Sequence, residues 1–105
     1  MDNYILDEDN NPKLVPFMEW AQWMEKDPSR RIIARDEVGE CVISTVFLGI
    51  DHRFMGGGPP ILFETMIFKQ GTFEGWEDYQ TRCATYEEAL EMHEKAIQYV
   101  KCGTH

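Results

Sequence analysis

At 105 residues the chain is long enough for one hydrophobic core and too short for two, so residues 1–105 are expected to form a single domain. Hydrophobic residues at 43%, charged residues at 28% and an aromatic set of three Trp, six Phe and four Tyr exclude a disordered or low-complexity polymer. Nineteen acidic against ten basic residues give a formal charge of -9, which repels nucleic-acid backbones and argues against direct DNA or RNA binding.

The start of the chain carries neither a basic region nor an apolar run of signal type, and no stretch approaches the ~20 apolar residues of a membrane span. A soluble protein of the cytoplasm is the expectation. Cys41, Cys83 and Cys102 are odd in number and show no CxxC spacing, which points to reduced thiols rather than a disulfide framework or a zinc site.

Taken in chain order, residues 4–6 and 13–15 flank the polar cluster Asp7, Glu8, Asp9, Asn10, Asn11, Pro12, the pattern of a small hairpin. Asp7, Asp9 and Asn11 have the spacing of a calcium loop. Pro12 stands where that loop needs glycine and Met18 where it needs a bidentate glutamate, so calcium is not expected. Pro16 suits a first helical turn, and Phe17, Trp20, Ala21 and Met24 recur at helical spacing until Asp27 and Pro28, predicting a helix over residues 16–26. Trp23 falls off that line, which leaves it either exposed as part of an interface or packed under the hairpin.

Residues 31–36 and 40–50 are rich in β-branched and aromatic side chains, and Asp36, Glu37, Val38, Gly39 supply the connection of a hairpin. In the second strand Val42, Val46, Leu48 and Ile50 point one way while Ile43, Thr45 and Phe47 point the other. Both faces are mostly apolar, so this strand belongs in the middle of a sheet. A loop over residues 51–60 leads to a third strand over 61–69, where Glu64 alone breaks the apolar pattern, as an acid paired with an arginine or placed at a subunit contact would. A glycine-bearing connection then leads to a fourth strand over 76–84.

Thr85 followed by Glu88 is a capping box, and Tyr86, Ala89, Leu90, His93, Ile97 and Val100 make the apolar stripe of a second helix that ends before Gly103. The element order predicts an α+β fold: an antiparallel sheet of about four strands, built from two hairpins and packed against two amphipathic helices.

The residues with chemical potential gather around the central loop. Asp51, His52, Arg53, Gly56, Gly57 and Gly58 offer glycine freedom beside a cation, suited to a phosphate or carboxylate ligand or to a plain connection. No Lys-Ser or Lys-Thr follows, so the loop is not a P-loop. Asp51, His52 and Glu64, with His93 reaching across from the second helix, form a possible acid/base or ion-binding constellation, although none of their spacings is diagnostic. Ser44 lies in a strand without a GxSxG context, which removes serine hydrolase chemistry.

No residue is assigned a catalytic role, no metal ligand is assigned, and no cofactor is identified. The leading expectation is a non-enzymatic binding protein whose acidic surface and aromatics, with Trp20, Trp23, Glu37 and Glu40 as contact residues, engage a partner protein of basic surface. A small-molecule or metal-binding protein, or a small hydrolase, built on the Asp51–His52 loop and Glu64 is the alternative. A homodimer joined through sheet edges or the first helix is a third.

The stretches VISTVFLGIDHRF and GPPILFETMIF, with the later YQTRCATYEEALEMHEKAI, resemble a group of small bacterial and bacteriophage proteins. That group carries a VSTVFLGLDH, GPP, LFETMVF pattern and a capped helix with an early Glu-Ala and a later His. The resemblance runs over most of residues 31–100. It implies a bacterial or phage setting and draws attention to Asp51, His52, Gly58, Pro59, Glu64, Thr65 and His93. The region of Met55, Gly56 and Gly57 and the acidic balance depart from the pattern. By analogy, small acidic phage proteins that occupy a host protein, including inhibitors of bacterial defence nucleases in the manner of anti-CRISPR proteins, set the expectation of an inhibitor.

Overall fold

The computed structural model describes residues 2–51, 58–69 and 75–102, with the side chains of 75–78 excepted. The chain opens with a hairpin of β1 (Asn3–Leu6) and β2 (Pro12–Val15), whose turn is organised by Asp7. Its Oδ1 accepts from the amides of Asp9 and Asn11 at 2.8 and 2.9 Å, the local bond that makes aspartate a turn former. Helix α1 (Phe17–Lys26) follows with Pro16 as its N-cap. Asp27 then caps a short 3-10 turn (Pro28–Arg31) through the amide and hydroxyl of Ser29.

Four strands form an antiparallel meander in the order β3 (Ile32–Val38), β4 (Cys41–Phe47), β5 (Phe63–Lys69), β6 (Gly75–Cys83). This is the α+β architecture predicted from the pattern, and β4 is central as expected. The first connection is tighter than the sequence suggested. Asp36, Glu37 and Val38 belong to β3, and only Gly39 and Glu40 make the turn, with Gly39 at φ 59° where glycine is unstrained. The first hairpin joins the far end of β4 through the bridge between Asn3 and Ile50 and the bond from the Tyr4 amide to the Gly49 carbonyl, 2.8 Å.

Helix α2 (Tyr86–Cys102) starts at the predicted cap. The Glu88 amide donates to Thr85 Oγ1 at 3.1 Å; the Glu88 carboxylate accepts from the Thr85 hydroxyl, rather than from its amide as the standard box would have it. The helix lies across all four strands of the sheet. Ala89, His93 and Ala96 are its buried positions, the inner edge of the expected stripe, while Leu90 is turned to solvent.

Antiparallel pairing puts register partners on one face, so the rows of the sheet can be written down. On the face toward α2 the rows read Ala34, Thr45, Thr65, Thr81 and, one step along, Asp36, Ile43, Ile67. On the opposite face they read Ile32, Val46, Glu64, Arg82 and Arg35, Ser44, Met66, Gln80. A bulge between Ile32 and Ala34 turns Ile33 in toward the core.

The inner face carries two apolar clusters. One joins Leu6, Phe47, Leu62, Phe63 and Ala89, with Trp23 of α1 meeting Phe47 edge-on at 5.7 Å between ring centroids. The other joins Cys41, Ile43, Ile67 and Ala96. Both helices thus contribute to the inner face, α2 along its length and α1 through Trp23.

Candidate functional site

Between the two apolar clusters runs a polar layer. On β4, Thr45 falls between Ile43 and Phe47; on β5, Thr65 falls between Phe63 and Ile67; on α2, His93 falls between Ala89 and Ala96. His93 Nδ1 lies 2.7 Å from Thr45 Oγ1, and His93 Nε2 lies 2.7 Å from Asp36 Oδ2. Thr45 Oγ1 is in turn hydrogen-bonded to Thr65 Oγ1. A carboxylate can only accept, so Nε2 donates to Asp36; in the neutral ring Nδ1 then accepts the Thr45 hydroxyl, and the Thr45 oxygen accepts that of Thr65. Every donor in the line finds an acceptor.

Asp36, His93 and Thr45 stand in the order of a carboxylate, base and hydroxyl triad. Burial decides against that chemistry. Thr45 and Thr65 are 0% exposed, and both flank the core rather than a cleft, so no substrate carbonyl reaches the hydroxyl. The line works as a fully satisfied polar seam that fixes the register of α2 on the sheet, because a slip of either element would strand buried donors. Asp36 is the outer end of the seam, with 54% of its side chain exposed and the charge left in water. Thr81, next in the row after Thr65, has a buried hydroxyl oxygen without a partner.

Of the expected constellation of Asp51, His52 and Glu64 with His93 reaching across, the link between His93 and Glu64 does not form. His93 lies on the inner face, whereas Glu64 lies opposite Val46 and Arg82 on the outer one, so the sheet itself separates them and His93 does not reach over to Glu64. The reason is the period of two: Thr65 and Glu64 are neighbours in sequence and must point to opposite faces. Glu64 Oε2 accepts from Arg82 Nε at 2.8 Å and from Gln80 Nε2 at 2.7 Å. This explains why an acid interrupts an apolar strand. Asp51 Oδ1 accepts from the Ile61 amide at 3.0 Å, closing the base of the central loop. Gly58 is exposed with φ 73°. His52, Arg53, Gly56 and Gly57 lie outside the described residues. Among the described residues no group of three or more His, Cys, Asp or Glu is placed to hold a metal ion.

Cys41 and Cys83 are poor nucleophiles by environment. Burial and the Glu88 carboxylate push the Cys83 thiol up to about 11, and burial with Glu40 nearby raises Cys41. Cys102 is exposed.

The surface residues named from sequence divide. Glu37 and Glu40 are exposed at the end of the β3–β4 hairpin, and Glu37 pairs with Arg35 at 3.4 Å. Trp23 is half-buried on Phe47, with the Arg30 guanidinium 6.0 Å above its ring, so it packs rather than projecting. Arg30 in turn bonds Asn10 and the Asp7 carbonyl, tying the 3-10 turn to the first hairpin. Trp20 is half-buried beside Gly49. The side chains α1 leaves in water are Phe17 and Met18, 61% and 66% exposed, next to Leu14 at 59%. Helical spacing assigned Phe17 to the buried line, and its exposure places it outside that line.

The chain matches no protein-family model, no curated protein and no solved structure. Among the described residues no helix is long and apolar enough to cross a membrane.

Proposed function

We propose that this chain acts by binding another protein, not by catalysis, and that its partner presents a basic surface. One observation carries the reading: Leu14, Phe17 and Met18, close in sequence at the junction of β2 and α1, are apolar and each more than half exposed. Aromatic residues and methionine are what interface centres use, and exposed side chains of this kind on a chain of charge -9 suit an apolar contact ringed by attraction for a cationic partner. Glu87, Glu91 and Glu94, exposed along one side of α2, add to that acidic field. The main hydroxyl and imidazole cluster is sealed in the core, which supports binding over hydrolysis.

The narrower form of the proposal is a phage-type inhibitor of a bacterial defence protein in the cytoplasm, supported by the resemblance of the VISTVFLGIDH and GPPILFETMIF stretches. The test immobilises the protein and passes bacterial extract over it. A partner retained at low salt, released as screening shortens electrostatic reach to about 3–4 Å near 1 M salt, and absent with the Phe17→Ser, Met18→Ser variant supports the proposal. An identical set of proteins on both surfaces overturns it. A second copy of the chain on the same side chains would instead show as thermal stability that rises with protein concentration and is lost in the variant.

A further inference from the structure

The sequence holds one local basic cluster, Lys26, Arg30, Arg31 and Arg35, and the structure accounts for the arginines on either side of Arg31. Arg30 is held by Asn10 and the Asp7 carbonyl; Arg35 is held by Glu37. Arg31 differs. In a chain with almost two carboxylates per cation it forms no ion pair among the described residues, and its Nε is buried without a hydrogen-bond acceptor. A buried guanidinium donor left unpaired costs free energy, and native structures supply such a group with a partner.

Arg31 also lines a cleft of about 540 Å³ at the end of the sheet, whose other walls are Pro28, Ser29, Ile32, Val46, Phe47 and Leu48. Arg31 is the sole charge on that lining, and the Ser29 hydroxyl is already committed to Asp27. The volume is that of a small-molecule site, and the composition is apolar walls around a single cation. Two neighbouring side chains, Ile32 and Val46, face each other across β3 and β4 on the outer surface of the sheet, so the apolar wall is rigid strand rather than loop.

We propose that this cleft is a binding site for a carboxylate carried on a branched apolar group, with the Arg31 guanidinium holding the carboxylate and Ile32, Val46 and Leu48 holding the apolar part. A planar carboxylate matches the planar fork of arginine, and a ligand of this kind gives the unpaired Arg31 charge a counter-ion while covering Ile32, half of which is exposed. The site is separate from Leu14, Phe17 and Met18 and stands without them. Two sources supply this chemistry, a free branched-chain acid or the C-terminal carboxylate of a peptide ending in an aliphatic residue.

The experiment is an amide-resolved NMR titration of the whole protein with N-acetyl-leucine, with its uncharged amide, and with a six-residue peptide ending in leucine as free acid or as amide. Saturable shifts in residues 29–32 and 46–48 with the acids, and at least tenfold weaker shifts with the amides, are expected. Arg31→Gln abolishes them, and Arg31→Lys weakens them because ammonium lacks the fork. A peptide acid binding at least tenfold tighter than N-acetyl-leucine assigns the site to protein C-termini; equal affinity assigns it to free acids. Absence of saturable shifts up to about 10 mM, or equal shifts from acid and amide, overturns the proposal. The acid-to-amide comparison is made on the unaltered protein and decides the matter even if the Arg31 variants fail to fold.

Discussion

The two faces of the sheet are made from the same strands and differ in what they are asked to bury. Toward α2, alternate residues of β4 and β5 are closed off from water, and the polar ones among them, Thr45 and Thr65, are joined to His93. On the other face Val42, Val46, Met66 and Phe68 are only half-buried, and the polar residues Glu64, Gln80 and Arg82 bond one another across the strands. The hydroxyls of Thr45 and Thr65 on the inner face are bonded within the protein, whereas a carboxylate on the outer face has water as a second resort. The lesson is that residue type alone does not say which polar groups organise a fold; the face does.

Substitutions on one strand test this contrast directly. Phe63→Ala, on the inner face of β5, is expected to cost about 3–5 kcal/mol in denaturant unfolding, the usual cost of emptying a closed aromatic site. Thr45→Val should cost about 1–3 kcal/mol, because it leaves the His93 ring nitrogen and the Thr65 hydroxyl without their partner. The triple change Thr45→Val, Thr65→Val, His93→Leu removes the seam as a unit and should cost less than the three single changes summed. Additivity of the three would show that they do not act together.

Gly49→Ala comes next, at about 1–3 kcal/mol. Gly49 has φ 77°, and an added Cβ would lie 3.0 Å from Trp20 Nε1. Phe68→Ala, on the outer face of the same strand as Phe63, should cost about 1–1.5 kcal/mol, since half-exposed surface loses less on truncation. A cost equal to that of Phe63→Ala would mean the outer face is covered in solution and would dissolve the contrast.

The smallest effect is chemical. At pH 8 an alkylating reagent should modify Cys102 first and Cys83 far more slowly, which peptide mapping by mass resolves. The folded Cys83 thiol keeps its proton up to about 11, while the unfolded chain releases it near the ordinary thiol value of 9.0. Its contribution to stability is therefore present below about pH 9 and fades as pH rises toward 11.

Much of the architecture was legible because period-two alternation and a Thr85, Glu88 cap are local signals, readable without knowing what packs on what. The β3–β4 turn was read too early because Asp36 and Glu37 are turn formers by type, yet β3 is an edge strand with room for charged residues. The seam was half visible. Thr45 was assigned to the Ile43 and Phe47 face and His93 to the apolar stripe, but Asp36 gave no sign of being their third member, since 57 residues separate it from His93. Glu64 was conspicuous for the right reason, and of its readings the pairing with an arginine holds while the reach of His93 does not: its bonds go to Arg82 and Gln80, one register row and one diagonal away on the outer face. Phe17 shows the limit of helical spacing, which says which side chains share a stripe but not how far the stripe is covered.

The strand order has a consequence for how the chain reaches this structure. Each strand of the meander pairs with its neighbour in sequence, so the sheet can grow hairpin by hairpin, by a tight turn between β3 and β4 and by the longer connection from Phe47 to Phe63 between β4 and β5. The bond from Asp36 to His93 is of another kind, since it forms only when the last helix returns to the first strand of the sheet. Helix docking is thus the step that checks the work of all the earlier ones: a sheet assembled one residue out of register would offer His93 Val46 or the shorter Ser44 in place of Thr45, and would turn Ile43 and Phe47 away from the helix.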